Sequence, residues 1–210
     1  MSLFRHMDIT IAAKVPLTEA EGPGKRFAVW VQGCPFRCPG CCNPQYLSFK
    51  NSSAVQISTD SLTEEILGYE DEIEGVTFIG GEPMAQAGAL AKVAEAVRKA
   101  GLSVMVFSGY TLEQLEDQGD PDYPQRFALL QQTDLLVDGQ YERENAITDR
   151  RWIGSSNQKV HFLSDRYLDL KERWPSAANT IEIRYKNGEL TINGFPHPEI
   201  TRKNLQSLKK

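Results

Sequence analysis

Hydrophobic residues in this chain alternate between short strand-like runs and longer stretches with helical spacing. Residues 76–79 form an apolar run that stops at Gly80. Apolar residues at i, i+3, i+4 and i+7 follow from Leu90 to Val97, and residues 102–107 form the next apolar run. This alternation is typical of βαβ units and predicts a mainly parallel sheet with packed helices. We therefore assign the chain to the α/β class.

Further elements are predicted along the same lines. Three more strands are expected from short apolar runs, over residues 27–31, 134–137 and 160–163. Capping boxes, in which Ser or Thr is followed three residues later by Glu or Gln, predict helix starts at Ser61 and Thr111. A helix is also expected over residues 165–174. Residues 142–158 have little periodicity and are predicted to be a long loop, of a kind that is often functional.

The C-terminal part of the chain has a different pattern. Residues 180–185 and 189–193 alternate strictly between apolar and polar side chains, with Asn187-Gly188 between them. Asn-Gly between alternating runs indicates a β-hairpin, because both turn residues take positive φ angles. We expect one main domain over residues 1–179, with an antiparallel hairpin and tail over 180–210 packed on it.

Charge and composition argue against several classes of partner. The net charge is −5 and the pI is about 5.3, whereas nucleic acids and membrane surfaces attract basic patches. No run approaches the ~20 apolar residues that span a bilayer. Residues 1–7 contain no apolar core of a signal peptide. We therefore expect a cytoplasmic protein with no nucleic-acid or membrane partner, in a compartment where thiols stay reduced.

All four cysteines lie within the nine residues 34–42, which read CPFRCPGCC. Thiolates select soft metals, and structural zinc usually needs a second, distant pair of ligands that this sequence lacks. A zinc knot and inert thiols are the alternatives. Cys41 and Cys42 are adjacent, so their side chains are expected to diverge, which leaves Cys34, Cys38 and Cys41 as the useful set. Three thiolates suit a [4Fe–4S] cluster with one open iron, whereas an electron carrier normally has four.

Parallel sheets place their ligands at the C-terminal ends of the strands. Three polar or glycine-rich segments follow predicted strands, over residues 80–83, 108–110 and 138–139. The cysteine loop follows a strand in the same way. We therefore expect these four segments to meet at one rim of the sheet, although Gly-Gly-Glu-Pro by itself is also an ordinary strand-to-helix turn.

Two motifs resemble those of radical S-adenosylmethionine (SAM) enzymes. Cys34-x3-Cys38-x2-Cys41 is similar to their first signature, and residues 80–83 are similar to the second, which meets the amino group of SAM. Residues 21–34 resemble the N-terminal strand and cluster loop of activating enzymes of glycyl radical enzymes. Three shorter segments resemble the branch that activates anaerobic ribonucleotide reductases, over residues 108–115, 136–139 and 154–158.

Two positions depart from the pattern of this family. Many radical SAM enzymes carry an aromatic residue where this chain has Gly40, although the reductase-activator branch tolerates glycine there. The position after the third cysteine is commonly His or Tyr, and here it is Cys42. Cys42 is therefore either a small, partly buried thiol or a replacement for Cys41 as a ligand. Arg26 is interpreted either as a contact for an anionic ligand or as a solvated charge.

The resemblance implies an incomplete radical SAM (β/α) barrel. It further implies a [4Fe–4S] cluster on Cys34, Cys38 and Cys41, with SAM on the fourth iron. The SAM contacts that it implies are Gly80, Gly81, Glu82, Pro83, Ser108 and Asp138. No catalytic residue beyond the cluster and the SAM site is expected.

The activity implied by the resemblance is reductive cleavage of SAM to a 5′-deoxyadenosyl radical. This radical would abstract hydrogen from a glycine of a partner glycyl radical enzyme, with an anaerobic ribonucleotide reductase as the expected partner. Flavodoxin or ferredoxin would donate the electron. One alternative is a small-molecule enzyme similar to the 7-carboxy-7-deazaguanine synthases, although no dedicated acidic cluster for its magnesium stands out. The other is a non-catalytic iron–sulfur electron carrier.

Overall fold

The computed structural model describes residues 7–174, 179–186 and 189–194 of the 210-residue chain. Seven strands form one sheet in the order β3-β1-β2-β4-β5-β6-β7. The strands are β1 (Asp8–Thr18), β2 (Arg26–Val31), β3 (Val55–Ser58), β4 (Gly75–Gly80), β5 (Ser103–Phe107), β6 (Leu135–Asp138) and β7 (Lys159–Phe162). The α-helices are α1 (Thr59–Leu67), α2 (Ala87–Lys99), α3 (Leu112–Leu115), α4 (Tyr123–Leu130) and α5 (Leu168–Arg173).

The strand directions confirm the α/β class but make the sheet mixed. Strands β2, β4, β5 and β6 are parallel to one another. Strand β1 is antiparallel to both β2 and β3, and β7 is antiparallel to β6. The prediction of a mainly parallel sheet therefore holds only for the central four strands.

Strand β1 was not predicted because its sequence contains a proline. Pro16 lies in the interval between Val15 and Thr18, where the register between β1 and β2 shifts. Proline has no backbone N–H for the ladder and is confined to edges and bulges, so it weakens a strand signal in the sequence. The irregular register accommodates Pro16 in an otherwise continuous strand.

The two faces of the sheet are covered differently. Phe27, Val29 and Val31 of β2 pack into the cluster that contains the buried residues of α1, α2 and α4. On the other face, Ala28 and Trp30 lie in a small cluster, and Trp152, Ile153, Tyr167 and Trp174 lie in another. That second face is covered largely by irregular segments rather than by helices, which leaves room for a cavity at the strand ends.

The predicted helix start at Thr111 is confirmed and the one at Ser61 is wrong, whereas α4 was not predicted. Ser58 is the N-cap of α1 and accepts a hydrogen bond from Ser61 N, so the helix begins earlier than the predicted capping box at Ser61. The start differs because Ser58 ends β3 and can cap the helix directly. Thr111 and Gln114 form the predicted capping box of α3. The helix over 165–174 is a 3₁₀ turn (Asp165–Tyr167) followed by α5.

The predicted C-terminal hairpin is present. Strands β8 (Ile181–Lys186) and β9 (Glu189–Gly194) pair antiparallel, and the predicted Asn187-Gly188 turn lies outside the described residues. The hairpin is attached to the main sheet region through hydrogen bonds. Glu19 N donates to Glu182 Oε1 at 2.7 Å, and Gly194 N donates to Glu21 Oε1 at 2.8 Å.

Arg26 has neither of the roles considered for it from the sequence. Its side chain is fully buried. Its guanidinium donates to Thr77 Oγ1 at 2.7 Å, to Val76 O at 2.6 Å and to Ser103 Oγ at 2.8 Å. Burial lowers the pKa of Arg26, although the hydroxyl of Tyr167 partly compensates. Arg26 thus joins β2, β4 and β5 at their N-terminal ends, away from the predicted ligand rim.

Candidate functional site

A cavity of about 340 Å³ lies at the C-terminal ends of the four parallel strands. All four cysteines line it, together with Gly80, Gly81, Glu82 and Ser108. Its apolar wall comes from the second face of the sheet and the loop that covers it, through Ile79, Phe107, Val137, Trp152 and Ile153. A cavity of this size, mainly apolar with a few converging polar groups, is typical of a small-molecule site.

Backbone pairing brings the cysteine loop against the Gly80–Glu82 segment. Val31 pairs with Gly80 in the parallel ladder of β2 and β4. Beyond the ladder, Gly81 N donates to Val31 O and Glu82 N donates to Gly33 O, both at 2.8 Å. A Cβ on Gly81 would lie 2.3 Å from Gly33 O, so this approach requires glycine. The two motifs, nearly 50 residues apart in the sequence, are therefore in direct contact.

Glu82 is a buried carboxylate with only uncharged donors around it. Its Oε2 accepts from Gly109 N at 2.7 Å, and its Oε1 accepts from Ser108 Oγ at 3.0 Å and Met84 N at 2.8 Å. The residue is 1% exposed. Burial raises the pKa of Glu82 to about 7 in spite of these hydrogen bonds. A cationic ligand in the cavity would favour the ionised carboxylate.

The cysteine loop is a compact turn that exposes its thiols unequally. Cys34 is buried, Cys38 and Cys41 are half-buried, and Cys42 is exposed. Cys41 N donates to Cys38 O at 3.1 Å, and Gly40 between them has a φ of 83°, in the left-handed region. Cys41 and Cys42 both line the cavity, and the neighbouring Cys42 thiol lowers the pKa of Cys41. The expectation that these two side chains diverge is therefore wrong.

The donor set of the cavity fits an iron–sulfur cluster better than a single ion. In the part of the chain that the structure describes, no group of three or more His, Cys, Asp or Glu side chains is arranged to hold one metal ion. A cubane cluster instead binds each thiolate at a different iron, so its ligands need not converge on one point. Soft thiolates spread over one cavity wall suit this arrangement.

Ser108 lies where the sequence places it, but Pro83 and Asp138 lie outside the cavity lining. Pro83 is buried at the start of the 3₁₀ helix Pro83–Gln86. Asp138 lines a separate cavity of about 210 Å³ with His161, whose Nε2 lies 2.9 Å from Asp138 Oδ2. Leu112 N also donates to Asp138 Oδ2, at 2.8 Å. Burial raises the pKa of Asp138, but the hydrogen bonds from His161 and Leu112 lower it more. The pKa of Asp138 therefore lies below its usual value.

The loop over residues 142–158 contributes more to the cavity than its sequence indicates. It contains a short 3₁₀ helix (Arg143–Asn145) and one isolated bridge, so the predicted loop is largely irregular. Trp152 in this loop has a φ of 67° and is 1% exposed, a strained backbone position for a bulky residue. Gln158 Oε1 accepts from Gly154 N at 2.8 Å, and both residues line the cavity.

Tyr141 is a cavity residue that sequence reasoning missed. A Cβ on Gly40 would lie 3.3 Å from its ring, and a Cβ on Gly154 would lie 3.1 Å from it. The ring therefore fills the space between the cysteine loop and residues 154–158. The sequence offered one indirect signal for Tyr141. Gly40 stands where many relatives of the family have an aromatic residue, and glycine leaves space there that another side chain can fill.

Fold and site together point to an iron–sulfur protein, with its cysteines on one loop at the rim of an α/β sheet. A family model described as the 4Fe-4S single cluster domain matches residues 20–161, about two thirds of the chain. The chain belongs to this family. The predicted iron–sulfur cluster and the predicted kinship with activating enzymes are confirmed by this match and by the relatives of the chain.

Among these relatives are activating proteins from several bacteria. The anaerobic ribonucleoside-triphosphate reductase-activating protein of Vibrio cholerae is 30% identical over 152 residues, which cover 70% of this chain and 93% of the relative. That of Escherichia coli strain K12 is 28% identical over 156 residues, covering 70% and 95%. A putative glycyl-radical enzyme activating enzyme of Haemophilus influenzae is 34% identical over 89 residues, covering 42% and 34%.

A solved structure, that of QueE from Escherichia coli, is only distantly similar. It has a TM-score of 0.43 and 22% identity, and the match covers 50% of this chain and 54% of that chain. A likeness at this level supports no inference. Separately, none of the helices within the described residues is long and apolar enough to cross a membrane.

Proposed function

We propose that this protein is a radical SAM activating enzyme. It reductively cleaves SAM and abstracts hydrogen from a glycine of a partner glycyl radical enzyme, with an anaerobic ribonucleotide reductase as the expected partner. The observation that carries this proposal is the contact between the cysteine loop and the Gly80–Glu82 segment at one cavity. The names of the relatives from Vibrio cholerae and Escherichia coli support the same activity and the same partner.

Cys34, Cys38 and Cys41 would hold the cluster, and Glu82 would bind the amino group of SAM. When bound, the cluster and SAM supply one-electron cleavage of the sulfonium to a 5′-deoxyadenosyl radical. The buried carboxylate of Glu82 would accept a charge-assisted hydrogen bond from that amino group. Ser108 Oγ and Gly109 N hold that carboxylate in position. Gly80 and Gly81 let this segment pack directly against Trp30 and Gly33, which holds it beside the cysteine loop.

The wall around these groups excludes water from the reacting centre. Ile79, Phe107 and Val137 form the sheet side of the cavity, and Trp152 and Ile153 form the loop side. A radical that abstracts hydrogen from carbon must be kept from side reactions, and a dry apolar wall serves this purpose. Asp138 would act indirectly. Its carboxylate accepts a hydrogen bond from Leu112 N, in the segment that follows Ser108 and Gly109.

Access for a protein substrate follows from the shape of the sheet. We regard the sheet, with β3 and β7 at its two edges, as an incomplete (β/α) barrel whose open side admits a loop of the partner. Residues 1–179 would form the barrel domain and residues 180–210 an appendage packed on it. The four free cysteines suit a cytoplasmic protein, and a flavodoxin or ferredoxin would deliver the electron.

Anaerobic reconstitution tests this function. The protein is loaded with iron and sulfide and given SAM and dithionite, and we expect methionine and 5′-deoxyadenosine as products. Glu82→Gln should lose most of this cleavage, whereas Glu95→Gln, which changes an exposed carboxylate on α2, should retain it. If the cluster-loaded wild type forms no 5′-deoxyadenosine, the better interpretation would be a non-catalytic iron–sulfur electron carrier.

Partner specificity requires a second measurement. Incubation with a co-expressed anaerobic ribonucleotide reductase should give a glycyl radical signal in electron paramagnetic resonance, and mutation of the partner glycine should remove it. SAM cleavage without any such signal would favour the small-molecule alternative.

A further inference from the structure

Cys42 is a fourth thiol beside a site for which three are proposed. It lines the same cavity as Cys34, Cys38, Cys41 and Glu82. Its side chain is exposed, whereas structural cysteines are mostly buried in apolar surroundings. Position and exposure both make this thiol available to a ligand in the cavity.

A second observation is that Asn43 donates one hydrogen bond to the sulfur of Cys41 and one to the sulfur of Cys42. Its backbone N donates to Cys41 Sγ at 3.4 Å, and its side-chain Nδ2 donates to Cys42 Sγ at 3.5 Å. N–H donors to sulfur stabilise the thiolate form and tune metal–thiolate sites. One asparagine therefore gives two neighbouring sulfurs the hydrogen bonds that are typical of metal-bound thiolates.

The turn geometry explains how both sulfurs reach the cavity. The hydrogen bond from Cys41 N to Cys38 O and the left-handed Gly40 curl the loop, so that Cys41 and Cys42 do not alternate as they would in an extended strand. Both cysteines therefore line the cavity. An inert bystander thiol would not require a donor from Asn43.

We propose that Cys42 is an exchangeable fourth ligand, which binds the cluster iron that SAM later takes. The inference rests on the proposed function, since it assumes a cluster with one iron reserved for SAM. It adds a role for this chain's own residue before SAM arrives. A three-cysteine cluster has a labile open iron, and a thiolate there retains that iron.

The exchange involves no change of oxidation state. The Cys42 thiol loses its proton and forms a sulfur–iron bond at the open iron. When SAM binds, that bond breaks and the amino nitrogen and carboxylate oxygen of SAM replace it. The released thiolate takes up a proton from solvent. No external oxidant or reductant is required.

The test measures retention of the fourth iron without SAM. Wild type, Cys42→Ala and Cys42→Ser are reconstituted anaerobically with ⁵⁷Fe and then oxidised mildly with ferricyanide. We expect wild type to keep four irons per cluster, and both variants to lose one and give the signal of a three-iron cluster in electron paramagnetic resonance. SAM added before oxidation should protect the variants. In wild type, SAM should move the Mössbauer signal of one iron from all-sulfur to mixed nitrogen and oxygen coordination.

Several results would overturn the inference. Equal loss of iron from wild type and both variants would mean that Cys42 does not bind the cluster. Failure of the variants to hold even three irons, with normal loading of Cys41→Ala, would make Cys42 a permanent ligand instead. Circular dichroism of each variant separates ligand loss from misfolding, and Cys42→Ser keeps the size of the side chain.

The outcomes also separate this inference from the proposed function. If Cys42 protects the fourth iron but no SAM is cleaved, the ligand role stands and the enzymatic proposal fails. If SAM is cleaved while Cys42 makes no difference to iron retention, the reverse holds. A wild-type protein that assembles no cluster would overturn both.

Discussion

Arg26 and Glu82 are both buried charged side chains at opposite ends of the parallel strands, and their environments differ. Arg26 at the N-terminal end donates to hydroxyls and carbonyls of β4 and β5. Glu82 at the C-terminal end accepts from two backbone amides and one hydroxyl, and it faces a cavity. The difference teaches that the same sheet uses a buried cation for cohesion at one end and, in the proposed function, a buried anion for binding at the other.

The largest expected effect comes from removing the charge at the closed end. Arg26→Met removes a donor from Thr77 Oγ1, Val76 O and Ser103 Oγ in the interior. Each buried acceptor that is left unpaired costs about 1–3 kcal/mol. Urea unfolding should show this loss of stability, and Glu95→Gln serves as a surface control. A change of well under 1 kcal/mol would mean that the Arg26 network contributes little cohesion.

The pH dependence of stability sharpens the comparison at the open end. Burial raises the pKa of Glu82 to about 7 from an ordinary value of 4.5, so the folded state holds its proton more tightly than the unfolded state does. Stability of the ligand-free protein should therefore be greatest below pH 4.5 as far as this group is concerned, and should fall as the pH rises through 7. The loss is on the order of 3 kcal/mol for a shift of this size.

Urea unfolding at several pH values checks this expectation. Glu82→Gln should remove much of the decline between pH 5 and pH 8. Burial also raises the pKa of Glu21 to about 7, so Glu21→Gln should remove a further part of it with the same sign. An unchanged decline in both variants would assign the pH dependence to other groups.

Binding at the open end should change in the opposite direction to stability. Glu82→Gln removes the charge that would meet the amino group of SAM, and a hydrogen bond to a charged group contributes about 1.5–3 kcal/mol. SAM affinity should fall by roughly 10- to 100-fold, as measured by equilibrium dialysis with the cluster-loaded protein. In wild type the affinity should rise as the pH passes 7, because the carboxylate ionises. Tighter binding at low pH would contradict the assignment.

The smallest effects are expected from replacing two glycines. One glycine is required by a close steric contact and the other by its backbone conformation. Gly81→Ala places a Cβ 2.3 Å from Gly33 O and should separate the two motifs, at a cost of about 1–3 kcal/mol and with loss of SAM binding. Gly101→Ala meets no atom within 4 Å but strains a φ of +82°, for about 1–2 kcal/mol. Its SAM affinity should be unchanged. Equal loss of SAM binding in both variants would show that the site responds to stability alone.

Much of the fold could be predicted from local patterns. The strands β4, β5, β6 and β7 are short apolar runs, and the helix α2 has an apolar stripe at helical spacing. The hairpin was predicted because strict alternation is visible without knowledge of neighbours. Strand β1 was missed because Pro16 contradicts a strand locally, and its pairing with β2 and β3 outweighs that preference.

The residues of the candidate site were also only partly predictable from the sequence. Spacing within one loop indicates the cysteines, and a run of four residues indicates the Gly-Gly-Glu-Pro segment. Trp152 and Tyr141 were missed because they enter the cavity from an aperiodic loop. Asp138 follows its strand as the ligand-rim rule expects, yet it lines another cavity with His161.

The sequence alone determined the class of the sheet, the soft-metal loop and the family resemblance, because these depend on spacing along the chain. The tertiary structure decided which groups share the cavity, which buried carboxylate there accepts only from uncharged donors, and that Cys41 and Cys42 both line it. It also assigned Arg26 to the opposite end of the sheet. Such features depend on distances across strands and on desolvation, and both exist only once the chain has folded.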